Sequence, residues 1–184
     1  MKIIYKLILV FAFNFTFSQN SESKISLIAN LGISNTLVNS TPKQNQSNSY
    51  YGIDINYDFY KGIYVGAGYK YNEVINVNNI AFNSYEIPLY FGSNINVGES
   101  ISKSVNFNIE AGGYMRDVLN APSTMKSEKS FGYSIKIGTQ IDLTKAMFVR
   151  ISYLRQFENS KIFENEKIGF DRISSINFSF GFKL

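Results

Sequence analysis

Glu86 and Glu110 fall on the same charge-bearing face of two neighbouring alternating segments, and two carboxylates in one chamber are the arrangement that divides general-acid from general-base work. Their usual helpers are missing. The 184 residues contain no histidine, which closes Ser–His and Asp–His mechanisms, and no cysteine, which closes thiolate nucleophiles, thiolate metal sites and disulfides. A Ser–Lys dyad stays formally open, but no serine stands in a motif that assigns it a lysine. Glu158, Glu164, Glu166 and Asp171 read as an acidic loop that offers oxygens to Ca²⁺. Yet Lys161, Lys167 and Arg172 are interleaved with them and the calcium-loop spacing is absent, so a solvated surface is expected. No catalytic residue, cofactor or metal ligand is expected, and the chain reads as a non-enzyme.

The other reading of the two glutamates is electrostatic. Asp54, Lys70, Glu86, Glu110, Lys136 and Arg150 share one face of their segments with Asp58, Asp142 and Lys183, so five acids meet four bases. Such near balance suits a closed interior, because an unpaired buried charge is expensive. These six named first are the expected structural network. On this reading Glu110→Ala costs more stability than Glu158→Ala, since only the former leaves inward cations uncompensated.

The elements that hold these residues show a period of two, eight times over. Strands are predicted at 25–34, 50–60, 62–71, 84–94, 104–114, 131–142, 146–156 and 173–184. In the first seven the odd positions are apolar, as in Ile25, Leu27, Ala29, Leu31 and Ile33; in the last the even ones are, from Ile176 to Leu184. Although 17% of the chain is charged, Arg155 is the one charge on those faces. Glycines decide which face is inside. Gly32, Gly52, Gly66, Gly68, Gly92, Gly112, Gly132, Gly138 and Gly181 lie on the charged face, where strand glycine is costly unless bulky neighbours such as Tyr64, Tyr90, Lys136, Phe148 and Arg150 need the room. The charged face therefore lines a narrow lumen and the apolar face meets lipid.

The connections agree with a membrane barrel, long at one rim and short at the other. Residues 35–49, 72–83, 115–130 and 157–172 are long, Lys61 and 143–145 are tight, and 95–103 is moderate. The polar 35–49 segment reads as a mobile loop. In hydrocarbon every backbone polar group must be paired, so the sheet must close. The expected fold is an all-β, eight-stranded antiparallel up-and-down transmembrane β-barrel over residues 19–184. Pro88, mid-strand, is expected to mark a bulge. Tyr51, Tyr57, Tyr71, Tyr85, Tyr114, Tyr133 and Tyr153 suit interfacial girdles.

Residues 1–18 carry Lys2 and Lys6, an apolar core Leu7 to Phe13, and Thr16-Phe17-Ser18, the pattern of a signal peptide cleaved before Gln19. Its removal lowers the net charge from +4 to +2, with 16 basic and 14 acidic residues left, and removes most of the case for nucleic-acid binding.

The run Tyr85-Glu86-Ile87-Pro88-Leu89-Tyr90-Phe91 resembles the middle strand of the PorT-like outer-membrane β-barrel domain family, common in Bacteroidota. Phe17-Ser18-Gln19, Gly112-Gly113, Gly138 and the alternating C-terminal strand are similar to that family as well. The resemblance implies the outer membrane of a Gram-negative bacterium, outer-membrane lipid as surroundings, and recognition of Ile176 to Leu184 by the barrel assembly machinery. The departure is Leu184, where a terminal aromatic is common. The family includes a secretion and gliding accessory protein, so a surface or secretion-machinery partner is expected and nucleic acid is not. Three functions follow from the sequence. They are a plugged barrel in an envelope-structural, adhesion or secretion-accessory role, a small passive channel, and a soluble periplasmic lipid-binding barrel with its apolar face inward.

Overall fold

A computed structural model describes residues 24–39, 43–60, 62–77, 80–100, 103–120, 129–161 and 169–184. The strands are β1 Ile25–Asn39, β2 Gln44–Tyr60, β3 Ile63–Val77, β4 Ile80–Ser100, β5 Lys103–Val118, β6 Ser130–Asp142, β7 Met147–Lys161 and β8 Gly169–Lys183. Each pairs antiparallel with the next, and β1 returns to pair with β8, giving a closed eight-stranded barrel as predicted. The expected signal peptide, residues 1–18, lies outside the described residues, as do Glu164 and Glu166.

The alternation fixes which way the side chains face. Leu31, Phe91 and Phe131 are 64%, 66% and 69% exposed, and they belong to a belt of outward Ile, Leu, Phe and Tyr that runs around all eight strands. The buried set is the reverse of a soluble core: Asp54, Lys70, Glu86, Glu110, Arg116, Lys136 and Arg150 lie inside with Tyr64, Tyr90 and Phe148. Each large apolar side chain left in water forgoes about 1.5–3 kcal/mol, so a belt of this extent is stable only against hydrocarbon. A soluble barrel with its apolar face inward is excluded, because that face is outside.

Strand ends depart from the sequence reading. β4 has 21 residues, roughly twice the ~9–11 that cross a bilayer, and β1 to β5, β7 and β8 run past their predicted limits. Most of the 35–49 segment, expected as a mobile loop, is instead the β1–β2 hairpin, with Asn35 opposite Ser47 and Val38 opposite Gln44. Above the hydrocarbon, the ladder still pairs the backbone while water tolerates polar outward residues, so the strand outlasts its apolar signal. The 72–83 segment behaves likewise: β3 and β4 pair up to Val77 and Ile80.

The bulge expected at Pro88 is not there. Pairing of β4 with β3 skips Gly68 and Tyr69, between Ala67↔Leu89 and Lys70↔Glu86, but the register is the same on both sides of the gap. Proline withholds one ladder donor without inserting a residue, and its other side pairs Tyr114 unbroken. The register shift in this hairpin lies instead between Asn72 and Ile75, and it turns Ile75 to the interior.

Candidate functional site in the barrel lumen

Side chains that alternate inward from eight strands have only one another to bond, so the lumen must satisfy its own charges. It does so in two layers. In the upper one, nearer the long connections, Glu86 of β4 accepts from Arg116 Nη2 of β5 at 2.6 Å, Gln156 Nε2 of β7 at 2.8 Å and Asn72 Nδ2 of β3 at 3.1 Å. Lys70 Nζ stands 3.7 Å from Oε2, the oxygen that Gln156 also bonds. Arg116 also donates through Nη1 to Glu158 of β7 at 2.6 Å, and Tyr114 donates its hydroxyl to the same carboxylate at 3.1 Å. The guanidinium lies 4.4 Å from the Phe170 ring centroid and is 2% exposed. One arginine thus reaches from β5 to both β4 and β7.

In the second layer Glu110 of β5 accepts from Arg150 Nη1 at 2.7 Å and Tyr64 Oη at 2.8 Å, and ion-pairs with Lys136. Arg150 Nη2 donates to Gln140 Oε1 at 2.8 Å, and Tyr90 donates to Asn56 Oδ1 at 2.7 Å. Asp54 is held more loosely, 3.9 Å from Lys136 Nζ. At the short-turn end Asp142 takes Lys183 at 3.2 Å.

Of the residues expected from sequence, Lys70 and Glu86 come together above, and Asp54, Glu110, Lys136 and Arg150 below. Glu86 and Glu110 do not meet. Glu86 is opposite Arg116 and Glu110 is opposite Gly92, six residues further along β4, so the two carboxylates sit about 20 Å apart along the strand. That is too far for an acid–base pair. Both are saturated by donors, which leaves no poised proton carrier at either.

Two residues central to the upper layer were expected in loops. Glu158, read as part of a solvated acidic surface, is buried against Arg116, because β7 runs on to Lys161. The parity of Arg150, Ser152, Leu154 and Gln156 continues through Glu158, and Tyr114 continues to Arg116; that signal identifies both. Asp171 remains exposed and pairs with Lys43 at 3.7 Å.

Glycines make the packing feasible. Rings lie over them across the ladder: Tyr64 on Gly92, Tyr90 on Gly66, Tyr114 on Gly132, Tyr50 on Gly32 and Phe148 on Gly181. A Cβ at any of these would strike the ring, so ring and glycine together close the cross-section.

The model of the outer membrane protein beta-barrel domain family matches residues 7–183. The chain belongs to that family. Among solved structures, Neisserial surface protein A superposes with a TM-score of 0.65 at 12% identity, covering 88% of this chain and 98% of that one. Ail, the attachment invasion locus protein of Yersinia pestis, gives 0.53 at 13%, covering 88% and 99%, and OprG of Pseudomonas aeruginosa gives 0.52 at 12%, covering 88% and 96%. At such identities the likeness is one of fold. No curated protein matches the chain in sequence. Family and orientation together make this an outer-membrane β-barrel protein of the Gram-negative type.

Proposed function

We propose that this barrel neither conducts nor catalyses, and that it works through the surface presented at its long-connection rim, in an envelope-structural, adhesion or secretion-accessory role. The carrying observation is Arg116, which bonds carboxylates from β4 and β7 across the lumen while rings on glycines fill the layers around it. The absence of histidine and cysteine from the sequence supports a non-enzyme, and the connections 119–129 and 162–168 exceed what closing a hairpin needs. The Glu86-Ile87-Pro88-Leu89 run supports a place beside PorT-like members, and Phe17-Ser18-Gln19 supports export by a cleaved signal peptide. The C-terminal alternation from Ile176 to Leu184 supports recognition by the assembly machinery.

Planar bilayers test the plug. Reconstituted protein should show no stable unitary current, and a sizeable steady conductance would establish the passive channel instead. Deleting 119–129 or 162–168 tests the surface role: at least one deletion should abolish a surface-binding, secretion or envelope phenotype while the barrel still folds. If both leave all of these intact, the surface role is wrong.

A further inference from the structure

Among the described residues the lipid-facing belt carries no charge until its upper edge, where two arginines stand together. Arg155 of β7 faces outward opposite Ser174 of β8, and Arg172 of β8, also exposed, is opposite Phe157 of β7. The two cations are therefore diagonal neighbours on one face, with Cα atoms about 7–8 Å apart. Arg155 Nη1 donates to Ser174 Oγ at 3.2 Å and Tyr153 Oη at 3.4 Å, and its guanidinium lies 5.6 Å from the Phe157 ring centroid. These contacts aim the group and leave most of its five N–H donors unspent. Among the described residues no carboxylate lies within ion-pair distance of either arginine. Asp171, adjacent to Arg172, is engaged by Lys43. The outward acids are elsewhere on the rim: Glu73 of β3 takes the Ser49 hydroxyl, and Asp117 of β5 takes Tyr85. Below the arginines, Ile176, Phe178 and Ile151 present an unbroken apolar surface.

A cation fork directly above hydrocarbon-facing side chains matches the join between a lipid's acyl chains and its phosphate. We propose that Arg155 and Arg172 bind the phosphate of an outer-leaflet lipid, with Tyr153 and Ser174 orienting Arg155 and the lipid chains lying on Ile151, Ile176 and Phe178. The long-connection rim faces outward in barrels of this kind, which sets the site in the outer leaflet.

Native mass spectrometry of the refolded full barrel from detergent, incubated with a bisphosphorylated lipid A or the same lipid stripped of phosphate, tests this. The wild type should retain the phosphorylated form at least tenfold better than the stripped one. Arg155→Gln with Arg172→Gln should remove that preference. Arg172→Gln alone, at an exposed position where folding is not at stake, should lower it several-fold, and millimolar inorganic phosphate should not displace the lipid. Equal retention by wild type and double variant, no change in Arg172→Gln, or equal retention of the two lipids overturns the proposal. Displacement by inorganic phosphate overturns it as well, because it would show a site for a free anion.

Discussion

At the scale of the residue, the lumen is governed by what a buried ion costs when its partner is removed. Arg116 serves two carboxylates at 2.6 Å each, so Arg116→Ala takes the closest cation from both Glu86 and Glu158. It should destabilise the barrel by about 3–5 kcal/mol, read from urea midpoints in lipid vesicles. The sequence alone argues that Glu110→Ala is costlier than Glu158→Ala by about 1–3 kcal/mol. With Glu158 buried and bonded to Arg116 and Tyr114, the two should instead cost comparable amounts, each about 3–5 kcal/mol. A Glu158→Ala barrel that unfolds at the wild-type midpoint would contradict the upper layer. Arg155 shows the complementary rule, since a cation is tolerated on the outer face only at its edge.

At the scale of the element, two adjacent strands share the task of filling a narrow tube, one giving a ring and the other a glycine. Gly66→Ala would push the Tyr90 ring away from Asn56 and should cost roughly 1–3 kcal/mol through overpacking. Gly98→Ala, with open space around the added methyl, should leave the midpoint unchanged, and equal losses for the two would refute the ring-on-glycine account. The strands themselves were legible because lipid enforces alternation: Ile53, Ile55 and Tyr57 outside, Asp54 and Asn56 inside. Their ends were not. Past Ile33 or Arg155 the run of outward apolar residues is broken by polar ones, so Asn35, Ser47, Ser49 and Phe157 read as loop although the hydrogen-bond ladder continues through them. That is why Arg116 and Glu158, which ride on those extensions, escaped notice while Glu86, Glu110, Lys136 and Arg150 did not. The shift between Asn72 and Ile75 reverses parity locally, and only the register reveals it.

At the scale of the whole molecule, the barrel is a soluble protein turned inside out, and its stability depends on hydrocarbon around it. Leu89→Arg, in the middle of the outer belt, should cost about 2–4 kcal/mol in vesicles, whereas the same change at the Leu184 end should cost about 0–1 kcal/mol. Because the chain has no native cysteine, single cysteines can carry a nitroxide without background. Leu89→Cys, Ile135→Cys and Ile151→Cys, spin-labelled in lipid vesicles and compared with Gly98→Cys, give the most direct test of orientation. Oxygen, which concentrates in lipid, should relax the first three far more than a water-soluble nickel chelate does, with the reverse at position 98. Stronger relaxation by nickel than by oxygen at 89, 135 and 151 would mean that the apolar face does not meet lipid.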